Sequence, residues 1–357
     1  MSSPLVSVLI PAYNAERYLA EAVESALAQT WPRIEVIVVE DGSADATLDV
    51  ARRYKSCGVT VVAQPENRGQ TAALNRALEE AQGDFIQFFD ADDVMEPGKI
   101  EAQVRRLLSE PPGTIATSWW ARFFDNDIAN VRVVAGADWQ DYDVPIEWLL
   151  DDWEGRGTMP PGAWLYPRSV VDAIGPWHED LTLNNDMEYF TRAVLASERI
   201  VFCEDSRWYY RSGNESLSGR KDDRALHSLF EVVRLSTERL LAVEDSERTR
   251  HAAACYWQVF LFLAYPQVPT LIEEAEDRVA ALGGGSRRVE VSRPFQPVRD
   301  LLGWKAAVRL QRAYRLSGIE ESVQTVKRWG TATSYRQLGK NLERHMGTGG
   351  GDRGAEV

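Results

Sequence analysis

The sequence predicts an α/β fold: a mostly parallel sheet with helices on both faces, followed by a helical C-terminal region. Three observations predict it. Apolar runs alternate with amphipathic helical periods through roughly the first 90 residues. The runs are apolar at consecutive positions, as strands buried on both faces must be. The last of them, Phe85-Ile86-Gln87-Phe88-Phe89, ends in the acidic turn Asp90-Ala91-Asp92-Asp93. Sheets of this kind bind ligands beyond the carboxyl ends of their strands, so the turn marks where chemistry is to be sought.

Val6-Ser7-Val8-Leu9-Ile10 reads as the first strand. Asn14 is placed to cap a helix over 15–29, whose Tyr18, Leu19, Val23 and Leu27 share one face. The run from Ile34 to Val39, broken only by Glu35, is the second strand, and Glu40-Asp41-Gly42-Ser43 turns it into a helix over 46–55. A third strand spans 59–63; the turn Pro65-Glu66-Asn67-Arg68-Gly69 leads to a helix over 71–81 and then to the fourth strand, 85–89. Pro11 to Asn14, Glu40 to Ser43, Asn67 to Gly69 and Asp90 to Asp93 all fall at strand ends, so one crevice can collect them. A further helix is expected from about Pro97. After Asp222 the pattern is helical over 225–243, 247–264 and 270–282, and stops at Gly283-Gly284-Gly285.

The 357 residues suffice for one large domain and an appendage. Hydrophobic content of 44% and charged content of 26% are ordinary for a soluble globular chain, and no apolar run approaches the roughly 18 residues of a membrane span. The N-terminus has no basic, cleavable leader pattern, so cytosolic residence is expected. Three scattered cysteines support neither a disulfide framework nor a zinc site. Nucleotide cofactor loops, both the dinucleotide glycine pattern and the P-loop, are missing. The net charge of −14 is uneven: residues 286–347 carry 13 Lys and Arg against 5 Asp and Glu, leaving the body strongly acidic. That body disfavours nucleic acid, and the basic tail has no nucleic-acid motif.

Three carboxylates in four residues repel one another beside an apolar strand, unless a cation lies among them. Oxygen-only ligands suit Mg²⁺ or Mn²⁺, with water and substrate phosphates completing the shell. In extended backbone Asp90 and Asp92 share one side and Asp93 faces the other.

Val6-Ser7-Val8-Leu9-Ile10-Pro11-Ala12-Tyr13-Asn14, Val38-Val39-Glu40-Asp41-Gly42-Ser43, Asn67-Arg68-Gly69 with Ala73-Leu74-Asn75, and Asp90-Ala91-Asp92-Asp93 stand in order. Together they resemble the family 2 glycosyltransferases, with their Rossmann-like GT-A fold. The likeness continues more loosely through Gly175-Pro176-Trp177 and Asn185-Asp186-Met187-Glu188 to about Ser218. It implies inverting, metal-dependent transfer of a sugar from a nucleotide-diphosphate donor, a UDP-sugar above all, to a hydroxyl of a saccharide or lipid-linked saccharide. Cell-surface polysaccharide or glycolipid assembly is the implied setting.

The resemblance also implies roles. Pro11, Tyr13 and Asp41 line the base pocket, Asn67 and Arg68 flank the nucleotide, Asp90 serves the ribose and metal shell, and Asp92 binds the metal directly. Asp186 is the implied general base, although Asn185 stands where the family has Glu; Glu188 is the alternative. Trp177 and the segment from Thr158 to Trp164 are the expected acceptor face. The segment from Tyr209 to Ser218 matches a part that closes over the diphosphate, with Arg211 toward phosphate but no histidine as a third metal ligand. Structural alternatives stand beside these: a plain turn at Asp41-Gly42, Tyr13 in the core, Arg68 as a surface cation, Asp93 at a helix start, and Asn184 or Asn185 as a cap. A silent nucleotide-sugar-binding scaffold is the non-enzymatic alternative. A sugar nucleotidyltransferase would need a glycine-rich basic loop, which Ala12-Tyr13-Asn14-Ala15-Glu16-Arg17 is not.

The expected organisation is a catalytic domain over 1–222, nucleotide-binding to about 110 and acceptor-binding beyond it. A helical appendage over 223–285, a basic amphipathic segment over 286–346 and a disordered tail over 347–357 follow. One helix over 298–316 sets Leu301, Leu302, Trp304 and Leu310 among Arg299, Lys305, Arg309 and Arg312. It suits either an anionic membrane at the inner face of the plasma membrane or docking on the acidic domain. Oligomeric state is not legible.

Overall fold

The computed structural model describes residues 3–124, 127, 128, 131–133, 135–212 and 222–316. The segment expected to close over the diphosphate, beyond Ser212, and the expected disordered tail lie outside the described residues. The chain divides into two compact units, Met1–Arg287 and Arg288–Val357.

In the first unit, strand β1 (Val6–Ala12) leads to helix α1 (Leu19–Leu27), β2 (Ile34–Asp41), α2 (Thr47–Arg53), β3 (Thr60–Gln64), α3 (Gln70–Glu80) and β4 (Phe85–Phe88). Every residue of β1 and β4 is buried, which is why these strands read as unbroken apolar runs. β1 pairs in parallel with both β2 and β4, and β2 with β3. Parallel pairing sends all four strands the same way, so their carboxyl ends share one edge. Helix α3 covers β1 and β2.

A second sheet follows: β5 (Val94–Met95), α4 (Lys99–Leu107), β6 (Thr114–Phe123), β7 (Arg132–Val133) and α5 (Ile146–Trp153) precede β8 (Tyr166–Pro167). Then come α6 (Arg168–Ile174), α7 (Asn185–Ala196) and the long β9 (Arg199–Arg211). β8 joins the first sheet antiparallel to β4, completing the order β3-β2-β1-β4-β8; the second sheet runs β5-β9-β6-β7. Helices α8 (Asp223–Val243), α9 (Glu247–Ala264) and α10 (Pro269–Ala281) belong to the same compact unit, with α8 against α7 and α9 against α5. Asp222 caps α8 through Ala225 N–H, and Ser246 forms a capping box with Thr249 at α9.

Two local expectations are corrected. Asn14 caps no helix: α1 starts at Leu19, and Asn14 instead takes a left-handed turn at φ 47°. The single helix expected over 298–316 is two, α11 (Gln296–Leu302) and α12 (Trp304–Leu316), because Gly303 turns at φ 85° between them. Among the described residues no helix is long and apolar enough to cross a membrane.

Candidate functional site

The four loops at the carboxyl edge are tied together by polar side chains. Asn14 Oδ1 accepts from Ala44 N–H at 3.0 Å, while its own N–H donates to Ser43 Oγ at 3.0 Å, so the loop after β1 is laced to the loop after β2. Tyr13, which follows, is 46% exposed; its ring stands at the rim and not in the core. Pro11 is buried within β1 opposite Val39.

Asp41 ends β2 and is more than a turn residue. Its Oδ1 accepts from Arg68 N–H at 2.8 Å and Gln64 Nε2 at 3.1 Å, and its Oδ2 accepts from Gly69 N–H at 2.8 Å. Burial raises its carboxyl above the ordinary range, against the pull of those two backbone donors. Gly42 allows the close approach this requires: at φ 67°, a Cβ would lie 2.5 Å from the Glu66 carbonyl carbon and 2.6 Å from Asn67 N. Asn67 is exposed beside this contact, and the Arg68 guanidinium reaches Glu179 at 3.1 Å.

The acidic turn lies at the end of β4. Burial first, and then the charges of Asp92 and Asp186, push the Asp90 carboxyl up to about 7, while Gln70 Nε2 donates to its Oδ1 at 3.0 Å. Asp186, in the first turn of α7, is thus within electrostatic reach of a residue far away in sequence. Its own carboxyl is raised by burial, and its Oδ1 accepts from Met187 N–H at 3.0 Å. Asn184 does not cap α7 with its side chain; it turns at φ 57° and donates Nδ2 to the Tyr256 hydroxyl at 2.8 Å.

The strand does not continue through Asp93: a turn closed by the Asp93 N–H on the Asp90 carbonyl at 3.3 Å replaces the expected alternation, and burial with the charges of Asp92 and Asp90 raises the Asp93 carboxyl well above its ordinary range. Asp93 serves no helix end, since α4 begins only at Lys99. The Asp93 side chain is fully buried and its Oδ1 accepts from Arg211 N–H at 2.9 Å. Arg211, expected at the diphosphate, is a buried clamp on the acidic turn. Its Nε donates to the Asp92 carbonyl at 2.6 Å, one Nη donates to Glu21 at 2.5 Å, and its guanidinium stacks over Phe123 and Tyr18, 4.4 and 4.8 Å from their ring centres.

Two further expectations are corrected. Trp177, expected at the acceptor face, is 4% exposed and stacks on Tyr189 at 4.0 Å and 7°, with Phe88 edge-on at 5.1 Å. It belongs to the aromatic core under β4. Glu188 is 1% exposed, gripped by Arg192 at 2.9 Å and approached by Arg239 at 3.4 Å and His178 at 3.5 Å, so it faces inward as a paired ion. Both side chains are buried in this structure.

Among the described residues no three His, Cys, Asp or Glu side chains are grouped to hold a metal by themselves. The residues nonetheless fit a divalent cation shared with phosphate oxygens. Asp90 is flanked by two like charges and one neutral donor, Gln70, which is an arrangement a cation would keep ionised. Asp90 and Asp92 are the residues that would hold it.

The sequence motifs gave Asn75 no role of its own and did not single out Asp152, Trp153, Tyr256 or Arg287, whereas Thr158 was expected. Asn75 pins the segment before α7 onto α3, donating to the Trp177 carbonyl at 2.9 Å and accepting from Trp177 N–H at 2.8 Å. A cavity of about 330 Å³ opens beside Asn184 and Met187, lined also by Asp152, Trp153, Thr158, Tyr256 and Arg287. Asp152 carried a legible signal, a carboxylate one helical turn after the buried Trp148. Tyr256 and Arg287 carried none.

Residues 7–175 match the family model described as glycosyl transferase family 2. The putative glycosyltransferase EpsH of Bacillus subtilis is 31% identical over 239 residues, 64% of this chain and 67% of that protein. Glycosyltransferase GlyA of Streptococcus pneumoniae is 28% identical over 283 residues, and the chain spans 39% of its length. The putative teichuronic acid biosynthesis glycosyltransferase TuaG of Bacillus subtilis is 41% identical over 107 residues, 29% of this chain and 42% of that protein. Among solved structures, residues 1–349 of S. aureus TarS in complex with UDP-GlcNAc share the fold, at TM-score 0.62 and 21% identity over 88% of this chain and 92% of that one.

Proposed function

The chain belongs to the family 2 glycosyltransferases, and from that premise we propose that it moves a sugar, with inversion, from a UDP-sugar to a hydroxyl of a saccharide or lipid-linked saccharide. One observation carries the reading: the acidic turn of β4 and Asp186 of α7 share one electrostatic neighbourhood at the carboxyl edge of the sheet. A donor site and a base placed together are what direct displacement needs.

In this reading the Tyr13 ring packs on the nucleotide base, with Pro11 beneath it, and Asp41 shapes the base pocket by holding the amides of Arg68 and Gly69. Asn67 and Arg68 border the nucleotide, and Asp90 borders its ribose. Mg²⁺ or Mn²⁺, held by Asp92 and Asp90, would supply the charge that offsets the departing diphosphate. Arg211 positions that pair through the Asp92 carbonyl. Asp186 takes the proton of the acceptor hydroxyl as its oxygen attacks the anomeric carbon opposite the leaving group, and the raised proton affinity from burial suits it as a base. The cavity beside Asn184 and Met187 is where the acceptor enters. The UDP-GlcNAc named with TarS supports a UDP-sugar donor, and the pathway named for TuaG supports polysaccharide assembly.

An anionic membrane is the surface we assign to the second unit, where Leu301 and Leu302 are 82% and 73% exposed beside Arg299 and Lys305. Such a surface suits an enzyme at the inner face of the plasma membrane.

The decisive experiment on the reaction is Asp186→Asn, followed by calorimetry with UDP and Mn²⁺ and by a transfer assay. Donor binding is expected to stay within twofold while transfer falls by about 10²–10⁴-fold. Normal turnover by this variant would remove Asp186 from the mechanism. UDP binding by the native chain without transfer to any acceptor would favour the silent scaffold.

A further inference from the structure

The cavity beside Asn184 and Met187 is lined by an arginine with no ion pair among the described residues. Arg287 lines it, and the Arg287 Nε is buried with no hydrogen-bond partner. Its backbone N–H donates to Gln258 Oε1 at 2.9 Å. Neighbouring arginines behave differently: Arg156 pairs with Asp151 and Glu154, and Arg248 with Glu244. Among the described residues no such carboxylate pairs with Arg287. Arg287 as a whole is half-buried, but leaving its buried Nε–H unpaired is costly, so the arrangement asks for an acceptor atom from outside the chain.

The wall around it is shaped for the same purpose. Gly155, at φ 82°, lies against the guanidinium so closely that a Cβ there would sit 1.9 Å from an Nη nitrogen. Trp153 and Tyr256 stack at 4.8 Å and 20° to make a flat apolar side, while Thr158 and Asn184 offer hydroxyl and amide groups. Asp152, the carboxylate lining the cavity, is pushed up to about 8 by burial and by Asp138 against the opposing pull of Arg287, and it forms no ion pair with that guanidinium among the described residues.

We infer that this cavity receives the acceptor through an oxyanion, a carboxylate or a phosphate ester, held by the Arg287 guanidinium while a nearby hydroxyl reaches Asp186. The planar fork of arginine matches both oxyanions in bidentate geometry. The inference rests on the transfer reading for the identity of the ligand as acceptor. It adds that selection of an anionic saccharide or polyol chain resides in Asn184, Tyr256 and Arg287, beyond the 7–175 segment that matches the family model.

The test uses two matched probe pairs and the full chain: methyl glucuronide against methyl glucoside, and glycerol phosphate against glycerol, titrated by ligand-observed NMR. The native protein is expected to bind at least one anionic member tenfold or more tightly than its neutral match; which pair shows it distinguishes carboxylate from phosphate. Arg287→Gln is expected to bring the pair within twofold, with UDP binding unchanged. Equal binding of the pair by the native protein, or a preference that survives Arg287→Gln, overturns the proposal. Arg287→Lys serves if the glutamine variant does not fold: losing the fork should weaken the preference about threefold to tenfold, and an unchanged preference overturns the proposal. Binding is read without turnover. A protein that prefers the anion yet transfers nothing from UDP-GlcNAc with Mn²⁺ keeps this site and loses the proposed reaction.

Discussion

Replacing Lys99 with methionine should remove a rise in stability of about 3 kcal/mol between about pH 7 and pH 9.5. Lys99 is fully buried, and its amino group donates to Gln87 Oε1 at 2.6 Å and Gln103 Oε1 at 2.7 Å, with no carboxylate bonded to it among the described residues. Burial lowers its pKa from 10.5 to about 7. The sign follows: between these two values the unfolded chain holds a proton that the native chain has released, so native stability rises with pH. The full gap of about 3.5 pKa units corresponds to about 5 kcal/mol, of which about 3 is gained by about pH 9.5. Cys203, the nearby thiol, is pushed up to about 12 and stays neutral through the window. Methionine would orphan the two glutamine oxygens at a cost of about 1–3 kcal/mol each, but that cost does not vary with pH. Urea unfolding of both proteins at several pH values isolates the slope. Parallel stability profiles for the native and methionine chains would refute the argument, and with it the idea that an ammonium is desolvated beneath the strand that carries the acidic turn.

Two further outcomes are expected. Gly42→Ala forces a Cβ against the backbone of Glu66 and Asn67 in a left-handed conformation, so it should destabilise the protein by about 1–3 kcal/mol and weaken UDP binding more than acceptor binding; unchanged UDP affinity by calorimetry would separate this turn from the nucleotide pocket. Removing residues 288–357 should abolish flotation with anionic vesicles while leaving neutral vesicles unaffected, and equal flotation of both proteins would exclude that unit as the anchor.

Much of the first sheet was readable because the signals are local. Val6, Val8, Leu9 and Ile10 are apolar because both faces of β1 are covered, and the helical pattern over 247–264 is found as α9. Gly303 was overlooked because the apolar stripe on either side keeps helical spacing across it, while only its backbone dihedral breaks the helix. Arg211 and Trp177 misled for a different reason. An arginine beside a phosphate and one under an acidic turn have the same sequence neighbourhood; the difference lies in Glu21 and Phe123, which arrive from elsewhere in the chain.

The strand and helix periods by themselves determined the parallel strand-helix alternation and the gathering of four loops at one edge, while the order of the strands came from the tertiary structure. Only the tertiary structure decided which charges face a ligand. Glu188 turned inward because Arg192, Arg239 and His178 converge on it, whereas among the described residues no carboxylate forms an ion pair with Arg287, whose Nε is left without a partner. Desolvation makes each such choice depend on partners remote in sequence, and that is information no single segment holds.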